Sequence, residues 1–226
     1  MDQEMMIFED RADAGRRLAK ALAKYAKRDD VIVLGIPRGG VPVAYEIAQA
    51  LALPLDVFIA HKLGVPGQEE LAFGAVAIGG TRVLDQEIID SVGVSQEQIE
   101  GVAKKMEAQL KLRENLYRAG RPPLQLEGVT VILVDDGIAT GSSTLVAIRA
   151  LRQLKPARIV VAAPVAPVST RNRLRPLVDD FVCLLTPEHF FAIGQFYLDF
   201  SQVADDEVID FLQKAERPAA KKPVLQ

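Results

Sequence analysis

Five short aliphatic runs, each handed over to a helical or loop pattern, leave this chain few folds to adopt. Residues 31–36, 55–60, 131–134, 158–163 and 181–185 are too short for helices and rich in Val, Ile and Leu, so each reads as a buried strand. Residues 10–27 lie between the amino terminus and the first strand with helical spacing. Ala14, Leu18, Ala21, Leu22 and Tyr25 share one face and Arg and Lys the other. Pro42 occupies a first-turn position, and Tyr45, Ile47, Ala48 and Leu51 continue that helix. Residues 74–78 and 81–84, joined at Gly79-Gly80, predict a hairpin. Ser95 and Gln98 make a capping-box pattern that opens a helix to about Arg118. Two further helices are predicted near 169–174 and 206–215. Strands alternating with helices imply an α/β fold: an open, mainly parallel central sheet flanked by helices, with right-handed crossovers.

Length and charge bound the rest. With 226 residues, the chain suits one sizeable α/β domain, expected over 1–226 with a flexible tail at 216–226. A net charge of −3 gives no support for non-specific nucleic-acid binding. The lone cysteine, Cys183, sits in an apolar strand pattern, allows no intramolecular disulfide and fits a reducing compartment. The first residues, MDQEMMIFEDRADAG, are too acidic for a signal peptide, and no run approaches the ~20 apolar residues of a membrane span. A cytoplasmic protein without a membrane partner is expected.

The chemistry concentrates in residues 131–144, VILVDDGIATGSST. A buried strand ends at Asp135 and Asp136, placing two carboxylates at the carboxyl edge of a sheet, where open α/β folds bind ligands. Ala139, Thr140, Gly141, Ser142 and Ser143 follow, small enough for an anion to approach the main chain. Their N–H groups, with those opening the next helix, form an anion nest at a helix N-terminus. The carboxylates suit vicinal hydroxyls or a Mg²⁺ ion. A plain Asp-capped turn would need only one of them. At the exit of the first strand, in GIPRGG, Gly39 and Gly40 permit close backbone approach and Arg38 offers a fork of donors to phosphate oxygens. On its own that segment also fits a plain glycine turn before a helix.

The 131–144 segment resembles the phosphoribosyl pyrophosphate (PRPP) motif of the type I phosphoribosyltransferases: apolar strand, acidic pair, two spacers and a Thr-Gly-centred loop. The resemblance implies that Asp135 and Asp136 hold the ribose hydroxyls at the catalytic centre and that residues 139–143 cradle the 5-phosphate. It also implies that Arg38, Gly39 and Gly40 bind pyrophosphate, with Lys62 beyond the second strand as a further cation. Mg²⁺ is the implied cofactor, near Asp135, Asp136 and Glu188. The family's mobile lid corresponds to residues 75–122, where Arg113 and Arg118 are the expected lid cations. The apolar stripe of the lid helix would pack on the body or on a second copy of the chain, as in a homodimer. Residues 180–200 resemble the base-recognition end of hypoxanthine-guanine phosphoribosyltransferases, which implies base contacts from Phe181 and Val182 and a hood over 186–215.

Two positions depart from that pattern. The hypoxanthine-guanine enzymes carry a lysine near Val165 and a catalytic aspartate where this chain has Ala139. The ATG of the loop resembles adenine phosphoribosyltransferases, whereas the base-binding end does not. The expected partners are PRPP and a small nitrogenous acceptor of unassigned identity. A non-catalytic PRPP- or nucleotide-binding module is the alternative, and a phosphate-ester hydrolase or flavodoxin-like domain sharing only topology is a third.

Overall fold

The computed structural model describes residues 7–216; the expected tail at 216–226 lies outside them except for Glu216, the last residue of a helix. Strands β1 (Val31–Gly35), β2 (Leu55–Val57), β6 (Thr130–Val134), β7 (Arg158–Val165) and β8 (Asp180–Leu185) form the central sheet in the order β2-β1-β6-β7-β8. Every pairing in it is parallel. All five residues of β6 are buried, as a central strand covered on both faces requires. Helices α1 (Arg11–Ala21), α2 (Gly40–Leu51), α5 (Ser142–Gln153), α6 (Val168–Leu174) and α7 (Asp205–Glu216) accompany them. Chain order runs outward from β1 in one direction and outward from β6 in the other. The carboxyl ends of β1 and β6 therefore flank the switch point where ligands bind in such sheets.

The predicted second strand, 55–60, divides in two. Leu55–Val57 joins the parallel sheet, and the fully buried Phe58 turns the chain into β3 (Ala60–Val65) of a separate antiparallel sheet. There β3 pairs with β4 (Gln68–Ala77), which pairs in turn with β5 (Thr81–Leu84). The predicted hairpin is therefore present within a three-stranded sheet, its turn made by Gly79 and Gly80 at φ 74° and 77°. Helix α3 (Gln86–Val92) adds to the predicted set; Asp85 caps it and Gly93 ends it at φ 72°. Helix α4 (Gln96–Arg118) opens on the Ser95–Gln98 capping box. It lies against β3, β4 and α7.

A second, smaller apolar cluster sits over the carboxyl end of the sheet. It joins Phe8, Ala14, Val165, Phe196 and Tyr197, with Ile193 and Phe200 packed beside them. Phe8 bridges Tyr197, and its N–H donates to the Phe196 carbonyl at 2.8 Å. The cluster joins residues of the expected hood, 186–215, to the amino-terminal segment. Helix α7, at the end of that range, packs on α2 and α4.

Candidate functional site

Strand β6 delivers Asp135 and Asp136 to the switch point, and the two carboxylates are not equivalent. Asp135 Oδ1 accepts the Asp136 N–H at 2.9 Å. Asp136 Oδ2 accepts Arg11 Nε at 2.8 Å, and its backbone carbonyl accepts the Tyr197 hydroxyl at 2.6 Å. Burial and the neighbouring Asp136 charge push the Asp135 carboxyl well above the usual carboxylate range. Burial also raises Asp136, but the Arg11 guanidinium opposes it. A buried pair of this kind carries one negative charge readily and a second only with a cation beside it.

The loop that follows encloses a cavity of about 190 Å³ lined by residues 135–144 and Ile193. Gly141, at φ 70°, caps α5 in a conformation that favours glycine. Helix α6, whose part in the site sequence reasoning missed, grips the outside of the loop. Thr170 Oγ1 donates to the Ala139 carbonyl at 2.7 Å, and Arg173 donates to the Thr140 carbonyl. In a trans peptide the carbonyl and the following N–H point in opposite directions. Holding these two carbonyls outward turns the Thr140 and Gly141 N–H groups to the other side of the loop. Among the described residues no backbone carbonyl accepts from Thr140, Gly141 or Ser143 N–H, which leaves these donors to an anion at the α5 N-terminus.

The exit loop of β1 meets this loop face to face. The Pro37–Arg38 peptide is cis. A Cβ on Gly39 would lie 1.9 Å from Asp136 Oδ2, and one on Gly40 would lie 2.5 Å from the Val134 carbonyl. Neither position admits a side chain without displacing the acidic pair or β6. A second cavity, of about 340 Å³, opens between Arg11, Arg38, Gly39, Asp136 and Phe200.

The structure thus brings Arg38, Gly39, Gly40, Asp135, Asp136 and residues 139–143 together. The other expected residues have different surroundings. Arg118, an expected lid cation, is buried, with Nε and Nη2 on the two Asp56 oxygens at 3.0 and 3.1 Å. It braces α4 to β2. Arg113 is exposed, and both it and Arg38 act on the Tyr117 hydroxyl, whose pKa burial and Asp205 push up to about 12. Lys62 lies within β3 and pairs with Glu70 at 3.0 Å. Phe181 belongs to the main core, at the level of Val161 and below the carboxyl edge, so its ring is not presented to a ligand. Val182 packs against the same core. Glu188 is exposed, and among the described residues no group of three or more His, Cys, Asp or Glu is placed to hold a metal. The expected set of Asp135, Asp136 and Glu188 is therefore not assembled; the acidic pair stands without it. Two carboxylates still fit Mg²⁺, which keeps several waters and takes its remaining ligands from substrate phosphates.

This sheet, with an acidic pair at its switch point and a braced loop of small residues beside it, agrees with the phosphoribosyltransferase class of α/β proteins. The chain belongs to that family: the phosphoribosyl transferase domain model matches residues 6–201. It is 43% identical over 217 residues to "Putative phosphoribosyl transferase Rv0571c" of Mycobacterium tuberculosis strain H37Rv, covering 96% of this chain and 49% of that protein. The counterpart from strain CDC 1551, MT0597, matches equally. The chain thus spans about half the length of the curated relatives it matches. Among solved structures, TT1426 from Thermus thermophilus is 41% identical with a TM-score of 0.85, over 92% of this chain and 99% of that one. AQ2163 from Aquifex aeolicus, 13% identical with a TM-score of 0.50 over 81% and 78%, shares the fold. No helix among the described residues is long and apolar enough to cross a membrane.

Proposed function

We propose that the chain binds PRPP and transfers its 5-phosphoribosyl group to a nitrogenous base or amine, releasing pyrophosphate, with Mg²⁺ bound alongside the donor. The observation that carries this reading is the braced loop at 139–143, with inward N–H groups, next to the acidic pair and the GIPRGG loop. The loop and the α5 N-terminus bind the 5-phosphate and fix the sugar. Asp135 and Asp136 accept the ribose hydroxyls and face the positive charge that develops at the anomeric carbon as pyrophosphate departs. Bound Mg²⁺ supplies charge neutralisation to the leaving diphosphate. Arg38 and the Gly39–Gly40 backbone receive that diphosphate, and Arg113 is the lid cation on their side. A cytoplasmic setting is consistent with the free thiol of Cys183, whose pKa burial pushes up to about 11.

The alternative, a non-catalytic PRPP- or nucleotide-binding module, draws support from the acceptor end. Ala139 offers no proton acceptor, and Phe181 is core. Pyrophosphate release from PRPP with any of a panel of bases and amines separates the two readings. For the donor itself, Asp135→Asn/Asp136→Asn should abolish PRPP binding by calorimetry while circular dichroism stays native. Unchanged affinity in that double variant would overturn the PRPP assignment.

A further inference from the structure

Arg11 is the first residue of α1, where a cation opposes the helix dipole, so its position calls for a compensating role. Its guanidinium is held on three sides. Nε donates to Asp136 Oδ2 at 2.8 Å, Nη1 donates to the Ser201 carbonyl at 2.7 Å, and the Phe200 ring lies 4.0 Å from Cζ. The side chain is only 12% exposed. Nη2 has no protein hydrogen-bond partner among the described residues, nor is it sealed off as a buried unpaired atom. Arg11 lines the 340 Å³ cavity together with Arg38 and Gly39. The one carboxylate lining that cavity is Asp136, already paired with Arg11; Arg38 has Asp205, outside the lining, 3.7 Å from its Nη1 and beyond hydrogen-bond reach.

We propose that Arg11 positions the diphosphate of the donor through its open Nη2 and thereby discriminates a sugar carrying a diphosphate from one carrying only the 5-phosphate. The inference rests on the PRPP reading above and adds a residue to it. A guanidinium fixed by a carboxylate, a carbonyl and an aromatic face loses little further freedom when it takes a phosphate oxygen. Its pairing with Asp136 also keeps a buried carboxylate compensated while the site waits for ligand. Arg11 neither lines the 5-phosphate cavity nor hydrogen-bonds residues 139–143; Asp136 lines both cavities, so inorganic pyrophosphate, which carries no ribose, isolates the part played by Arg11.

The test is calorimetry with Mg²⁺ on wild type, Arg11→Gln and Arg11→Lys, using PRPP, inorganic pyrophosphate and ribose 5-phosphate as probes. Arg11→Gln should weaken PRPP and pyrophosphate at least tenfold and ribose 5-phosphate less than threefold, with Arg11→Lys recovering part of the loss. Equal loss of all three ligands in Arg11→Gln, or no loss of any, overturns the role of Arg11. Should Arg11→Gln fail to fold, Arg11→Lys carries the same comparison: unequal loss supports the role, and equal or no loss overturns it. Failure of the wild-type protein to bind PRPP while binding ribose 5-phosphate would overturn the PRPP reading instead.

Discussion

The donor half of the site and the acceptor half are built on different principles. On the proposed donor side the main chain shapes the cradle around a few fixed side chains. The 139–143 loop is held by its carbonyls, Gly39 and Gly40 fit only without side chains, and Asp136 is fixed by Arg11. On the proposed acceptor side the chain after β8 presents side chains to solvent, with Phe191 91% exposed. A phosphate and a ribose are the same in every donor, so a rigid backbone cradle suits them. An acceptor is read by side chains, and these vary without disturbing the fold.

The severest challenge to that contrast is a single methyl group. Gly39→Ala would place Cβ against Asp136 Oδ2, and we expect a loss of PRPP affinity beyond 100-fold by calorimetry, with the thermal transition retained. A tenfold effect or less would mean that the donor half yields as a side-chain site does. A milder challenge removes the outer braces. Thr170→Val and Arg173→Gln each leave one loop carbonyl without its partner, a loss of about 1 kcal/mol, and should each weaken ribose 5-phosphate by roughly fivefold. Affinity unchanged in both would make α6 a bystander.

The smallest effect concerns what the donor half costs in stability. The Asp135 carboxyl has its pKa raised in the folded protein, so between the unfolded value of about 3.9 and that raised value the native state binds the extra proton. Stability from this group is complete below the unfolded pKa and lost as pH rises through the folded one. Asp135→Asn removes that loss. Its melting temperature relative to wild type should climb between pH 4 and pH 8, by about 2–4 °C for each kcal/mol recovered. A difference that stays flat with pH would show that the carboxylate is not penalised by its surroundings.

The same division governs what was legible in the sequence. The acidic pair, the small-residue loop and the glycines were readable because backbone sites demand particular residue types at fixed spacing. Phe181 is not legible in the same way, because residue type carries no register. Strand β8 begins at Asp180, which puts Phe181 at its amino end and in the core, whereas ligands bind at the carboxyl end. Arg118 misled because a cation near a helix end resembles a solvated charge. The cue lay in Asp56, a carboxylate inside the apolar run LPLDVFIA, which needs a buried partner. Arg121 shares that task, with Nη1 3.3 Å from Asp56 Oδ1. Thr170 and Arg173 could not have been found, since contacts with the loop thirty residues earlier depend on tertiary geometry. Helix α3 was findable from its Asp85 cap and Gly93 stop.

Gly137 gives the hood a consequence for anyone who would transplant this site. A Cβ there would fall 2.4 Å from Ile193 Cγ2, while the Tyr197 hydroxyl holds the next carbonyl upstream and Phe8 is stitched to Tyr197. The portable module is therefore not the contiguous loop 135–144. It is that loop together with Phe8, Ile193 and Tyr197, and a graft carrying the loop alone would arrive without the side chains that hold its first turn.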